Sequence, residues 1–286
     1  MADRLPELDA ARLHLWMTLL EARAGMVIPV ERKSFLEAGL RARMQQIGVA
    51  DYDAYYRLLS TQRHWTEEWS LLVDRLTVHE TSFFRHAPSL RLLTDEILPT
   101  FAAANPSRGF QAWSVGCASG EEPYTLAMLM HQFFTEACRG RLYGVTGTDI
   151  SLPSLQIARA GIYSARRAQA IPAELRERFC ADLGDDTVQM RDELRRRVCF
   201  AQLNVLRMGR FPLRNLDLIY CQNMLIYIPR HDRPRIIETL IERLAPQGVL
   251  VLAPGDLACW SHPQFARIRF EGTLAFRRQA IDRASA

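Results

Sequence analysis

The run Trp113-Ser114-Val115-Gly116-Cys117-Ala118-Ser119-Gly120-Glu121-Glu122-Pro123-Tyr124 sets two glycines close together, then two acids and a proline. Apolar residues lead in, and a helix-patterned segment from Thr125 to Phe134 follows, so the stretch predicts strand, tight turn and helix. Gly116 and Gly120 allow either a packing turn or the close approach of a cofactor to bare backbone. The acids narrow the cofactor class. A helix start offers partial positive charge, and a phosphate-binding turn avoids carboxylates beside its ligand. Glu121 and Glu122 suit a cofactor with a cationic end, such as S-adenosyl-L-methionine, which has an ammonium and a sulfonium and no phosphate. The dinucleotide fingerprint G-x-G-x-x-G is absent.

Further candidates stand at the ends of apolar runs. Asp149 closes Leu142–Asp149, one strand–helix unit after the glycine turn. A carboxylate there accepts both hydroxyls of a ribose, or it caps the helical segment Ser151–Ala160. Leu216–Cys221 runs into Gln222-Asn223-Met224, with Tyr227 beyond. Asn223 is placed to bond cofactor or acceptor; Tyr227 lines the transfer site or belongs to the core. Asn204 follows Phe200–Leu203 and reaches an adenine edge or forms a turn. In His79-Glu80-Thr81-Ser82-Phe83-Phe84-Arg85-His86, at least one Phe is expected to be buried. Arg85 is a fixed cation able to hold an anionic substrate or a cofactor carboxylate.

These residues need a scaffold. Residues 1–76 read as all-helical, from Leu13, Trp16, Met17 and Leu20, from Phe35, Leu36, Leu40 and Met44 with Gly48 as a stop, from Tyr52, Tyr55, Tyr56 and Leu59 behind Asp51, and from Trp65, Trp69, Leu72 and Leu76. Segment 77–109 is a linker, and 110–286 is an α/β domain. Its strand candidates are Phe110–Val115, Leu142–Thr148, Val198–Gln202, Leu216–Cys221 and Gly248–Ala253. Helices are expected over Tyr124–Phe134, Ser151–Ala160 and Arg233–Leu244. The alternation predicts a mostly parallel sheet covered on both faces. Block 161–200 breaks the rhythm and predicts a small β-subdomain in which Thr187–Met190 and Val198–Gln202 pair. Gln264 to Arg278 predicts a closing hairpin about Gly272.

Composition sets bounds. With 48% hydrophobic and 24% charged residues, the chain of 286 residues is of ordinary globular type, and no run is long enough to span a membrane. Met1–Glu7 is polar and unlike a secretory signal. Six scattered cysteines without a C-x-x-C predict reduced thiols, a cytoplasmic setting and no metal site. A net charge of +4 without a dense basic stripe argues against nucleic acid as a partner.

Together these segments resemble the CheR family of S-adenosylmethionine-dependent methyltransferases, which esterify glutamate side chains on bacterial chemoreceptors. Leu76–Arg85 is similar to the family's Leu-Thr…Thr-x-Phe-Phe-Arg signature, Trp113–Tyr124 to its Trp-Ser…Gly-Glu-Glu-Pro-Tyr signature, Gly147–Ile150 to its ribose motif and Cys221–Tyr227 to its Cys-Arg-Asn…Tyr motif. The resemblance implies a class I methyltransferase sheet of Rossmann-like type, an N-terminal all-helical receptor-docking domain and a small β-subdomain insertion. It implies cofactor contacts at His79, Thr81, Arg85, Gly116, Glu122, less surely Glu121, Asp149, Asn204, Val205, Asn223 and Met224. Arg85 and Tyr227 are expected to orient the reacting groups. A monomer is expected, docking on a receptor helical bundle either through Arg32, Lys33, Arg41 and Arg43 or with those cations as a solvated helix face. The alternatives are a class I methyltransferase on another substrate and a non-catalytic S-adenosylmethionine-binding scaffold. Gln222 stands where relatives usually carry Arg, Ala253–Asp256 where they often carry Gly-x-Ser-Glu, and the 180–190 loop is shorter than in relatives that grip a receptor peptide.

Overall fold

A computed structural model describes residues 8–61, 66–77, 80–137, 140–256 and 260–279. Expectations about Met1–Glu7, Trp65, His79, Cys138 and Cys259 fall outside the described residues. The chain opens on helices α1 (Ala10–Ala24), α2 (Lys33–Ile47), α3 (Tyr52–Thr61) and α4 (Thr66–Leu76). Asp9 caps α1 by accepting from the Arg12 amide at 2.8 Å, and Asp51 caps α3 by accepting from the Ala54 amide at 3.0 Å. Helical spacing brings Trp16, Leu20, Leu36, Leu40, Met44, Tyr55 and Leu72 into one core. Trp16 lies 5.3 Å from the Tyr55 ring, within the range of favourable aromatic packing. Phe35 departs from its expected core place. It is 36% exposed, because it falls one residue off the Leu36–Leu40 stripe of α2.

The linker is more ordered than its sequence reading. Helices α5 (Ala87–Leu92) and α6 (Leu98–Ala104) join through a π turn at Leu93–Ile97 into a single rod. Pro88 in its first turn and buried Leu92, Leu93, Ile97 and Leu98 explain the rod. Phe83 is buried with its ring 5.0 Å from Tyr163, whereas Phe84 is half-buried.

The α/β part follows as β1 (Phe110–Val115), α7 (Glu121–Gln132), β2 (Tyr143–Asp149), α8 (Leu152–Ala160), β3 (Ile162–Ser164), α9 (Ala165–Ala168), α10 (Ala173–Phe179), β4 (Cys180–Gly184), β5 (Thr187–Met190), α11 (Asp192–Arg195), β6 (Val198–Gln202), β7 (Leu216–Cys221), α12 (Arg233–Ile241), β8 (Leu244–Leu252), β9 (Phe265–Ile268) and β10 (Leu274–Arg278). The main sheet has the order β6-β2-β1-β7-β8-β10-β9. The first five of these strands are parallel, and β10 runs antiparallel between β8 and β9. One apolar cluster, with Phe110, Tyr124 and Leu126, packs on one side; another, with Trp113, Ile219 and Leu240, packs on the other. The β9–β10 hairpin matches the expectation for the tail.

One pairing is corrected. Thr187–Met190 does not pair with Val198–Gln202; β5 lies between β3 and β4 in a separate three-stranded antiparallel sheet. Gly184, Asp185 and Asp186 have φ of 78, 47 and 58°, which reverses the chain at once and pairs β5 with the strand before it. After α11 the chain returns to the main sheet, where β6 pairs with β2 from Val145↔Val198 to Asp149↔Gln202. The helix expected to Leu244 ends at Ile241, and β8 begins at Leu244. Cys117, Cys180, Cys199 and Cys221 are free thiols.

Candidate active site

A cavity of about 260 Å³ opens where the order of parallel strands reverses, beyond the carboxyl ends of β1 and β7. Open α/β sheets bind ligands at this position, because adjacent crossovers leave in opposite directions and part the loops. Its floor is the turn between β1 and α7. Gly116, Ala118 and Gly120 have φ of 76, 46 and 93°, so the backbone is wound tightly there. Asp149 holds the turn. Its Oδ2 accepts from the Ala118 amide at 2.8 Å and its Oδ1 from the Ser151 amide at 2.9 Å. The carboxylate is thereby rigid, and it faces the cavity. The cap of α8 is Ser151, whose hydroxyl accepts from the Ser154 amide at 3.1 Å; Asp149 holds that capping residue and does not itself cap the helix.

The two adjacent acids part company. Glu122 lines the cavity and accepts from the Ser114 hydroxyl at 2.6 Å. Burial pushes its carboxyl up to about 8, against the opposing effects of Ser114 and Arg85. Among the described residues no arginine or lysine forms an ion pair with it. A cation entering the cavity would restore its ionised form. Glu121 does not line the cavity, which corrects its candidacy as a contact there. It is fully buried beneath the turn, with Ser119 Oγ donating to it at 2.8 Å and Arg167 Nη1 at 3.0 Å. Successive residues at a helix start point about 100° apart, so one of the pair is directed outward.

The remaining candidates gather around the same cavity: Thr81, Arg85, Gly116, Asn204, Val205, Asn223, Met224 and Tyr227. His79 lies outside the described residues. Arg85 donates to the Glu80 carbonyl at 2.6 Å, and its charge acts on Glu122. Asn204 accepts from the Leu206 amide at 2.9 Å and donates to the Ala24 carbonyl at 3.2 Å. Gln222 is 7% exposed; its amide donates to the Leu252 carbonyl at 2.9 Å.

Sequence reasoning missed the wall contributed by the helical domain. Ala24 to Pro29, Arg32 and Phe35 all face the cavity. The signal was the glycine that ends α1, Gly25, but it reads only as a helix stop. Ser114 was likewise not singled out, being one alternate residue of an apolar strand.

The basic residues of α2, with Arg32 just before it, divide. Arg32 is exposed at the mouth of the cavity, and Lys33 is half-exposed, 3.8 Å from Glu37. Arg43 is paired with buried Glu68, its Nε donating at 3.0 Å, and the Tyr55 hydroxyl donates to the same carboxylate at 2.6 Å. Arg41 Nε donates to the Tyr52 hydroxyl at 2.9 Å. Arg41 and Arg43 therefore hold the helical bundle together and do not form the free cationic face expected of them.

The site thus sets a buried acid without an ion pair among the described residues, Glu122, beside a rigid carboxylate, Asp149, over a bare turn. These residues fit S-adenosylmethionine, which has a cationic group and a vicinal diol. The strand order and this crevice are those of the class I S-adenosylmethionine-dependent methyltransferases. Residues 79–265 match the CheR methyltransferase SAM-binding domain, and residues 11–77 match the CheR methyltransferase all-alpha domain. The chain is 31% identical over 253 residues to the chemotaxis protein methyltransferase of Escherichia coli K12, covering 87% of this chain and 85% of that protein. It is 29% identical over 235 residues to chemotaxis protein methyltransferase 2 of Vibrio cholerae, covering 82% and 81%. Among solved structures it is similar to magnesium protoporphyrin IX methyltransferase from Synechocystis PCC 6803 with bound SAM, at 15% identity and a TM-score of 0.38, covering 85% of this chain and 97% of that chain. The chain belongs to the CheR methyltransferase family. Among the described residues no helix is long and apolar enough to cross a membrane.

Proposed function

We propose that this protein methylates glutamate side-chain carboxylates of chemoreceptors, leaving S-adenosyl-L-homocysteine. The observation that carries the reading is the inward carboxyl of Glu122, which has no ion-pair partner among the described residues, in a cavity shared with Asp149. Bound S-adenosylmethionine supplies a methyl group activated by its sulfonium. Glu122 holds the ammonium and Asp149 the ribose hydroxyls, while Gly116, Asn204, Val205, Asn223 and Met224 shape the cavity for the nucleoside. Thr81 and His79 complete the contacts. The acceptor glutamate titrates near ~4.3 and is already ionised at neutral pH, so no residue has to remove a proton. The new O–C bond forms as the S–C bond breaks, and the bond pair stays on sulfur. Arg85 and Tyr227 orient the carboxylate in line with the methyl group, and such alignment supplies up to ~7–11 kcal/mol of a barrier.

Residues 1–76 serve as the docking domain, 77–109 as the linker with the Thr-x-Phe-Phe-Arg motif and 110–286 as the catalytic domain, with a β-subdomain within 161–200. Arg32, at the mouth, and Lys33, next to it in the chain, meet an acidic receptor helix. The test is transfer of tritiated methyl groups to receptor membranes, with release by base marking an ester. Incorporation that collapses in Arg85→Ala supports the reading; folded protein that binds S-adenosylhomocysteine but labels no receptor overturns it.

A further inference from the structure

The small antiparallel sheet grips the cofactor turn from outside the cavity. Tyr163, on β3, donates its hydroxyl to the Ser119 carbonyl at 2.7 Å. Arg167, on α9, donates to Glu121 Oε1 at 3.0 Å and reaches Ser119 Oγ at 3.4 Å. Two side chains of the inserted subdomain therefore hold the residues immediately before Glu122. The turn has no slack on its other side. A Cβ on Gly120 would stand 2.7 Å from Ala158 Cβ on α8 and 3.1 Å from the Tyr163 hydroxyl. Glu121 has a side chain 1% exposed, whereas Arg167 is 48% exposed, so the buried acid depends on a cation at the subdomain surface.

We propose that Arg167 is a positioning residue for the cofactor site: by holding Ser119 and Glu121 it directs Glu122 into the cavity, and the antiparallel subdomain thereby sets cofactor affinity. The inference rests on the cavity being the S-adenosylmethionine site. The titratable groups that face Glu121 are Arg167 from α9, Tyr163 from β3 and Cys117 from the turn itself. Burial foremost raises both Tyr163 and Cys117, so both stay neutral near pH 7 and Arg167 carries the balancing charge. Without it, Glu121 is a buried anion lacking a counter-charge, and the strand–helix turn must shift or the acid must take up a proton.

The test compares wild type, Arg167→Lys, Arg167→Met and the double variant Arg167→Met/Glu121→Gln. S-adenosylhomocysteine affinity is measured by calorimetry, and thermal unfolding of the ligand-free protein is followed over the same pH range. Arg167→Met is expected to bind about tenfold more weakly near pH 8, with the deficit shrinking as pH falls and Glu121 protonates. Its melting temperature should fall relative to wild type as pH rises. The Lys variant should stay within about threefold of wild type, because it keeps the charge, and the double variant should recover most of the loss. A loss equal at every pH and unrelieved by Glu121→Gln would mark a merely structural role and overturn the proposal. So would wild-type affinity in Arg167→Met. Absence of binding by the wild type would instead sink the cofactor reading itself, and this role with it.

Discussion

Asn204 donates its side-chain N–H to the Ala24 carbonyl at 3.2 Å, and this bond ties the loop after β6 to the end of the first helix. Beside it, Leu206 packs onto Gly25, which has φ of 68°. The helical domain is thereby a wall of the cavity.

Gly25→Ala tests that wall. Its Cβ would stand 1.6 Å from Leu206 Cδ1, so Leu206 must move, and left-handed backbone costs a residue with a Cβ roughly 1–2 kcal/mol. The expected result is a lower melting temperature together with weaker S-adenosylhomocysteine binding. Leu206→Ala in the same chain should relieve the clash but not the backbone strain. Unaltered binding in Gly25→Ala would separate the wall from the site.

Glu122 makes binding depend on pH. Its carboxyl is raised from 4.5 to about 8, so most of it is protonated at neutral pH in the empty site. A group raised on folding stabilises the protein below its unfolded value, and that contribution is lost as pH climbs through its folded one. Ligand-free protein should therefore lose stability from about pH 4.5 through about 8. Affinity for the ammonium should rise over the same span, with proton release visible when calorimetry is repeated in buffers of different ionisation enthalpy. Glu122→Gln should abolish the rise; persistence of the full slope in that variant would assign it elsewhere.

Asp149→Asn should weaken S-adenosylhomocysteine about 30-fold or more, on the scale of about 2 kcal/mol for charged hydrogen bonds. The amide has one acceptor oxygen for two backbone amides and none to spare for a diol. Calorimetry with wild-type affinity would remove Asp149 from the site.

The cations of α2 should behave differently from one another. Lys33→Glu is expected to slow receptor methylation and leave S-adenosylhomocysteine affinity unchanged. Arg43→Glu should instead destabilise the helical bundle by about 3–5 kcal/mol, because it sets a like charge against Glu68, which is 5% exposed. Denaturant unfolding checks the second and a methyl-transfer assay the first; equal stability of Arg43→Glu and wild type would count against the buried pair.

Much of this protein is local in character and was legible in residue order. The turn from Gly116 to Glu122 and the alternation of strands and helices are set by spacing and backbone preference, which act over a few residues. The rod at 87–104 carries a local signal too, in Pro88 and the period of Leu90, Leu93, Ile97 and Phe101, which the linker reading does not use.

What residue order alone determined was the set of elements and the candidate side chains at their ends. Which side of the turn each acid faces, that Arg43 is spent on Glu68 and that β6 joins β2 rather than β5 were decided by tertiary structure. Orientation, pairing and desolvation depend on partners far away in the chain, such as Arg167 beneath Glu121 and Ala24 beside Asn204. Two identical carboxylic acids in sequence become a ligand for a cation and a buried brace only when folding gives them different neighbours.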